Sequence, residues 1–213
     1  MARRFPELET DPRPGPPPQP DFRRLLGAAW PGLPTAVRRR FGPHAPGETT
    51  LYEGRMRVEA NLAGRLIAQV CRLIGTPLAP WTGADVPVTV AVSLDGGGGL
   101  VWARAYRFAG RPPCLVSSTK LADDRLGLLE VVRGGLGMAL DIEAADGALH
   151  FRSRRYFLRL GGRRWPIPHL LTPGRAHVIH RDQGAGVFRF TLTFDHPWLG
   201  RTFRQDGLFR DPG

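Results

Sequence analysis

The chain has 213 residues, 42% of them hydrophobic, and a formal net charge of +11. A chain of this length buries about 70% of its unfolded surface as one domain, without disulfide or metal staples. No apolar run approaches the roughly 20 residues of a membrane-spanning helix, and the start Met1-Ala-Arg-Arg, with Pro6 and Glu7, lacks the apolar centre of a signal peptide.

Cys71 and Cys114 have no paired spacing, so buried thiols in a reducing, cytoplasmic setting are expected. Lys120 is the only lysine among 30 basic residues. The arginine skew, with abundant Gly and Pro, fits a GC-rich coding sequence as well as a functional surface. Arg38-Arg39-Arg40 and the set Arg152, Arg154, Arg155, Arg159, Arg163 and Arg164 are the densest basic clusters. Such faces attract polyanions nonspecifically. Tyr156 and Phe157 interleave with the second cluster as stacking residues would, but no recognised nucleic-acid motif is present, so no specific nucleic-acid partner is expected.

In chain order, residues 1–20 are dense in proline (Pro12, Pro14, Pro16, Pro17, Pro18 and Pro20) and poor in apolar side chains, which predicts a disordered tail. Residues 21–213 then read as a single β-rich domain. Asp21 can cap a short helix ending at Pro31-Gly32, and Pro34 opens another that stops before Gly42. Thr49 to Val58 suits a strand. From Asn61 the period changes, because Leu62, Leu66, Ile67, Val70, Leu73 and Ile74 recur at helical spacing. Asn61 caps this helix and Gly75 with Pro77 stops it. Its stripe is expected to pack against a sheet, burying Leu66, Ile67, Val70 and Ile74.

The rest is strand and turn. Val86, Val88, Val90, Val92 and Leu94 share a face, Gly96 to Gly99 reverse the chain, and Leu100, Trp102, Tyr106 and Phe108 return. Cys114 to Lys120 and Leu126 to Val132 follow. Leu136, Met138, Leu140 and Ile142 alternate with smaller residues, Asp146-Gly147 turns into Leu149 to Leu160, and Gly161-Gly162 can turn again. Phe188, Phe190, Leu192 and Phe194 form a second apolar row, expected to be buried. About eight to ten short strands joined by hairpins predict an α+β, β-rich fold. Its core is a strongly curved antiparallel sheet, a barrel or half-barrel of lipocalin-like or helix-grip kind, packed on the Asn61 helix.

Several of these segments together resemble one bacterial family. They are Tyr52-Glu53-Gly54, Gly75-Thr76-Pro77-Leu78, Asp85-Val86-Pro87-Val88, Gly134-Gly135-Leu136-Gly137-Met138, Phe151 to Tyr156, Leu171-Thr172-Pro173-Gly174, His177 with His180, His196-Pro197 and Gln205-Asp206-Gly207. The set is similar to the bacterial domain-of-unknown-function family numbered 4166, over nearly everything after residue 23. The resemblance implies a domain that occurs alone or attached to NAD(P)-binding proteins of the saccharopine-dehydrogenase or short-chain-reductase kind. A separately encoded reductase is therefore one possible partner. The family supplies no established catalytic residues.

Chemical motifs add little. His177 and His180 invite a metal, but positions three apart on a strand face opposite ways, so no metal is expected and an inward polar or structural histidine fits better. The glycine runs do not sit between a strand and a helix, as a dinucleotide loop requires, so no cofactor is expected. Ser117-Ser118 lacks a nucleophile-elbow pattern. Tyr156, His180 and Gln205 are left as ligand-binding candidates that can converge inside a cup, with Arg154 meeting an acidic end. The plainer alternative turns the arginines to water and makes Gln205-Asp206-Gly207 a turn. Two functions stay open, namely binding of a hydrophobic or lipid-like small molecule in the cup, and accessory or catalytic service to an NAD(P)-dependent reductase.

Overall fold

The computed structural model describes residues 19–72, 78–161 and 163–212. The proline-rich stretch therefore lies almost wholly outside the described residues, as do Leu73, Ile74, Gly75 and Pro77. Eleven strands form one antiparallel sheet. In chain order they are β1 (Thr49–Ala60), β2 (Gly83–Leu94), β3 (Leu100–Tyr106), β4 (Cys114–Asp123), β5 (Gly127–Val132) and β6 (Leu136–Ala145). Then come β7 (Ala148–Leu160), β8 (Arg163–Ile167), β9 (Arg175–Gly184), β10 (Val187–His196) and β11 (Gly200–Arg210). Three short helices accompany them, α1 (Phe22–Leu26), α2 (Thr35–Arg40) and α3 (Leu62–Cys71).

Successive strands pair with each other, except β8 with β9, and β11 returns to β1. β6 also pairs with β7, and the first part of β7 pairs with β9, which closes the sheet into a barrel of ten strands with β8 hanging from the end of β7. The expected curved antiparallel sheet is thus a fully closed barrel. Its turns follow from local chemistry. Asp146 and Gly147 both take positive φ, 50° and 68°, the twist a two-residue hairpin needs. Asp95 Oδ1 accepts from the Gly97 and Gly99 amides at 2.9 and 2.7 Å, which organises the glycine-rich reversal between β2 and β3.

Alternation then fills the barrel. Val86, Val88, Val90 and Val92 on β2, Leu100, Trp102 and Tyr106 on β3, and Phe188, Phe190 and Phe194 on β10 are all buried in one core. Leu192 is only partly buried and lines a cavity.

Antiparallel order gives the barrel two unlike rims. α1 and α2 plug the one that carries the β2–β3, β6–β7 and β9–β10 turns. Phe41 lies 5.5 Å from both Trp102 and Phe151, centre to centre, and Phe22 lies 6.1 Å from Phe151. α3 sits at the other rim, against β1 and β11.

The helix is where the structure departs most from expectation. Asn61 does cap it, accepting from the Gly64 amide at 2.8 Å. Yet Leu66 and Val70, expected in the core, are 67% and 57% exposed, and Leu62 is 83% exposed. The buried face is instead Gly64, Ala68 and Cys71, with Ile67 partly buried against the core. A Cβ built on Gly64 would stand 1.8 Å from the Thr202 carbonyl oxygen. The helix backbone meets β11 too closely for a larger side chain, so the small residues face inward and the leucines do not.

Candidate functional site

The barrel interior holds a cavity of about 100 Å³ that runs from the middle of the barrel to the α3 rim. Val116, Val132, Val178, Phe190, Leu192 and Phe194 form much of its wall, and Leu78, Leu136 and Pro173 line its outer end. Six polar side chains reach it from facing strands: Arg104 and Tyr106 from β3, Ser118 and Lys120 from β4, Glu130 from β5, and Gln205 from β11. Tyr156 and His180 complete the lining from β7 and β9.

Lys120, the only lysine, is buried, and its Nζ lies 3.2 Å from Glu130 Oε2. Register explains the pair, because Lys120 and Glu130 are directly opposed on β4 and β5. Ser118 Oγ donates to Glu130 Oε1 at 2.6 Å, so both carboxylate oxygens are occupied. Burial drives the Lys120 ammonium below its ordinary range, although Glu130 opposes that shift. Burial raises the Glu130 carboxyl, but Lys120, Arg104 and the Ser118 hydroxyl outweigh it and hold the group below the usual carboxylate range. The two shifts pull opposite ways on the same pair. The contact geometry favours the charged pair, since the carboxylate has three favourable partners and the ammonium also faces the Trp102 and Phe151 rings at 5.6 and 5.2 Å.

Arg104 supplies a second positive charge. Its Nη1 donates to Ser118 Oγ at 3.4 Å and its guanidinium lies 5.8 Å from the Phe190 ring centre. Among the described residues no carboxylate oxygen lies within 4.0 Å of it. With Lys120 and Glu130 neutralising each other, the lumen keeps one uncompensated cation.

His180 is enclosed by aromatic rings. Phe41, Phe190 and Trp102 stand 4.8, 5.2 and 5.5 Å away, centre to centre. Burial, with Arg40, Lys120 and Arg104 nearby, lowers its pKa well below the histidine norm, so the imidazole is neutral. Its Nδ1, like Nε1 of Trp102, is buried without a hydrogen-bond partner among the described residues. Gln205 is buried too, and its side-chain oxygen accepts from the Tyr106 hydroxyl at 3.1 Å. The Tyr156 hydroxyl donates to the Gly174 carbonyl at 2.8 Å, and burial pushes its pKa up to about 12.

Of the residues singled out from sequence, Tyr156, His180 and Gln205 therefore line one cavity. Arg154 does not. It projects from the outer face of β7, where Nη1 lies 3.5 Å from Asp141 Oδ1 and Nη2 donates to the Leu126 carbonyl at 3.0 Å. Gln205-Asp206-Gly207 is not a turn but the middle of β11, with Asp206 outside, held by Arg189 at 2.7 and 2.5 Å. His177 and His180 face opposite ways, and His177 meets His150 on the outside, Nε2 to Nδ1, at 3.0 Å. Arg40, counted in a surface cluster, is buried.

Sequence reasoning missed Arg104, Lys120 and Glu130. A signal was present, because Lys120 shares strand parity with Cys114, Val116 and Ser118, and Glu130 with Leu128 and Val132. The single lysine of an arginine-rich chain stood at an inward position.

No curated protein and no solved structure matches the chain. The family model described as a domain of unknown function (DUF4166) matches residues 33–209, which takes in α2, α3, every strand of the barrel and every residue of the cavity, and the chain belongs to that family.

Proposed function

We propose that the barrel lumen binds a small, largely apolar molecule that carries one anionic end, such as a carboxylate. The observation that carries this reading is Arg104, a guanidinium on the cavity wall with no carboxylate partner among the described residues. A half-buried cation of this kind is stabilised by an anion that fits its fork. Apolar walls with a few polar groups suit the rest of such a ligand. About 100 Å³ holds a short chain or the leading segment of a longer one, and the cavity runs on to the α3 rim. His180 and Gln205 supply orienting contacts, His180 as a neutral imidazole. The role of anionic partner, assigned to Arg154 from sequence, passes to Arg104.

Calorimetry with octanoate and octanol tests this. Octanoate binds with a negative heat-capacity change, as burial of apolar surface requires. Arg104→Met weakens octanoate by about 10- to 100-fold, the worth of a charge-assisted hydrogen bond, and leaves octanol nearly unaffected. Arg154→Met alters neither. No binding of either probe, or equal weakening of both by Arg104→Met, overturns the reading.

A further inference from the structure

The α3 rim exposes apolar side chains from three separate segments. Leu62 and Leu66 on α3 are 83% and 67% exposed, Leu171 before β9 is 78%, and Trp198 between β10 and β11 is 76%. Side-chain and backbone bonds bring the segments together. Asn61 Nδ2 donates to the Leu199 carbonyl at 2.9 Å, and His196, whose Nδ1 accepts from the Trp198 amide at 3.2 Å, has its Nε2 3.4 Å from the Leu170 carbonyl. The three segments thus form one rim surface. Single exposed leucines need no explanation, but a contiguous group with a tryptophan does.

Unpaired charge on this rim is positive, since Glu59 and Asp195 already face Arg57 and Arg201. Arg65, Arg72 and Arg175 are exposed here, and none has a carboxylate within 4.0 Å among the described residues. Asp195, at the end of β10, is already held by Arg201 at 2.9 Å. The plugged rim carries Asp95, Asp146 and Asp182 in its turns, beside exposed Arg23, Arg24 and Arg39 on α1 and α2.

We propose that the α3 rim docks on a lipid bilayer rich in anionic headgroups. Leucine and tryptophan side chains enter the interface, where tryptophan is favoured, and the arginines meet lipid phosphates. A nucleic acid satisfies the arginines but leaves the leucines wet, and a neutral protein surface does the reverse. An anionic membrane matches both. The proposal goes beyond ligand binding and does not depend on it, although the lumen cavity reaches this same rim.

Sedimentation with vesicles of phosphatidylcholine, alone and mixed with phosphatidylglycerol, decides it. The full chain is expected to bind the mixed vesicles, more weakly in high salt, and not the neutral ones. Leu62→Ser with Leu66→Ser lowers the partition about tenfold or more, in line with the loss of two buried leucines. Arg65→Gln and Arg175→Gln each lower it about fivefold, as expected for one basic residue at an anionic surface. Leu51→Ser, an exposed position on the barrel wall, changes nothing. Equal binding by the double serine variant, or binding of an oligonucleotide but not of vesicles, overturns the proposal. So does a dimer in analytical ultracentrifugation that the double variant dissolves. Octanoate binding by the double variant, measured without vesicles, tells failure of this proposal from failure of the lumen reading.

Discussion

Arg40 Nη2 meets Asp211 Oδ1 at 2.7 Å, with the arginine side chain fully enclosed and its guanidinium 3.5 Å from the centre of the Phe188 ring. The pair fastens the α2 plug to the far end of β11. Removing one partner strands the other charge in the core, so Arg40→Met or Asp211→Asn is expected to cost about 3–5 kcal/mol. Urea denaturation measures it. The double substitution Arg40→Met/Asp211→Asn should recover part of the loss, and a fully additive cycle shows that the two groups do not interact.

Gly64 gives a second stability prediction. Its Cβ position falls 1.8 Å from the Thr202 carbonyl oxygen, and neither backbone can retreat cheaply. Gly64→Ala should destabilise by about 1–3 kcal/mol or more, as overpacking does, even though alanine is the better helix former. Gly96→Ala, where nothing lies within 4 Å, is the matched control and should be close to neutral. Thermal melts of the two variants separate them.

The lumen pair predicts strong coupling. Lys120→Met leaves the buried Glu130 without its ion-pair partner, though still bonded to Ser118, and Glu130→Gln strands the Lys120 ammonium, so each is expected to cost about 3–5 kcal/mol. Together the two substitutions should cost clearly less than the sum. A double-mutant cycle by denaturation with no coupling energy contradicts the ion pair.

Two histidines contribute to the loss of stability below neutral pH. Burial keeps His180 neutral well below the ordinary value of 6.5, and burial with Arg152 lowers His177 more mildly. Unfolding releases both rings to their ordinary range, where they bind protons that the folded chain does not. The stability they contribute is present above 6.5 and is lost as pH falls from there toward the folded values. The slope is about 1.4 kcal/mol per pH unit for each ring fully in its window. Urea midpoints measured from about pH 8 down to pH 5 should fall, and His180→Phe should flatten the fall. An unchanged slope in that variant removes His180 as its source.

Much of the barrel was legible because strand alternation and turn chemistry act locally. The β2–β3 hairpin around Gly96 to Gly99, the Asp146-Gly147 turn and the row from Phe188 to Phe194 all stand where their spacing puts them. The side of α3 that faces inward was not legible, since amphipathicity gives a stripe but not its partner. Backbone proximity at Thr202, a contact far away in sequence, turned that helix onto Gly64, Ala68 and Cys71. The same limit governed the site. Parity within β7 could not say that Tyr156 faces the lumen while Arg154 faces out, because the pairing with β6 shifts register at Ala139/Leu140. Closure of the sheet through β6 and β7 is equally nonlocal, and it is what brings Arg104, Lys120 and Gln205 around one space.

That closure also decides how the protein behaves in a crowd of its own copies. An open sheet leaves two ladders of free amides and carbonyls onto which another chain can polymerise. Joining β6 to β7 leaves only short stretches unpaired, chiefly the outer side of β8. Pro166 lacks an amide there, and Arg163 sets a like charge against a second copy. Closure of the barrel, with proline and arginine on its one loose strand, thus works against strand-by-strand association.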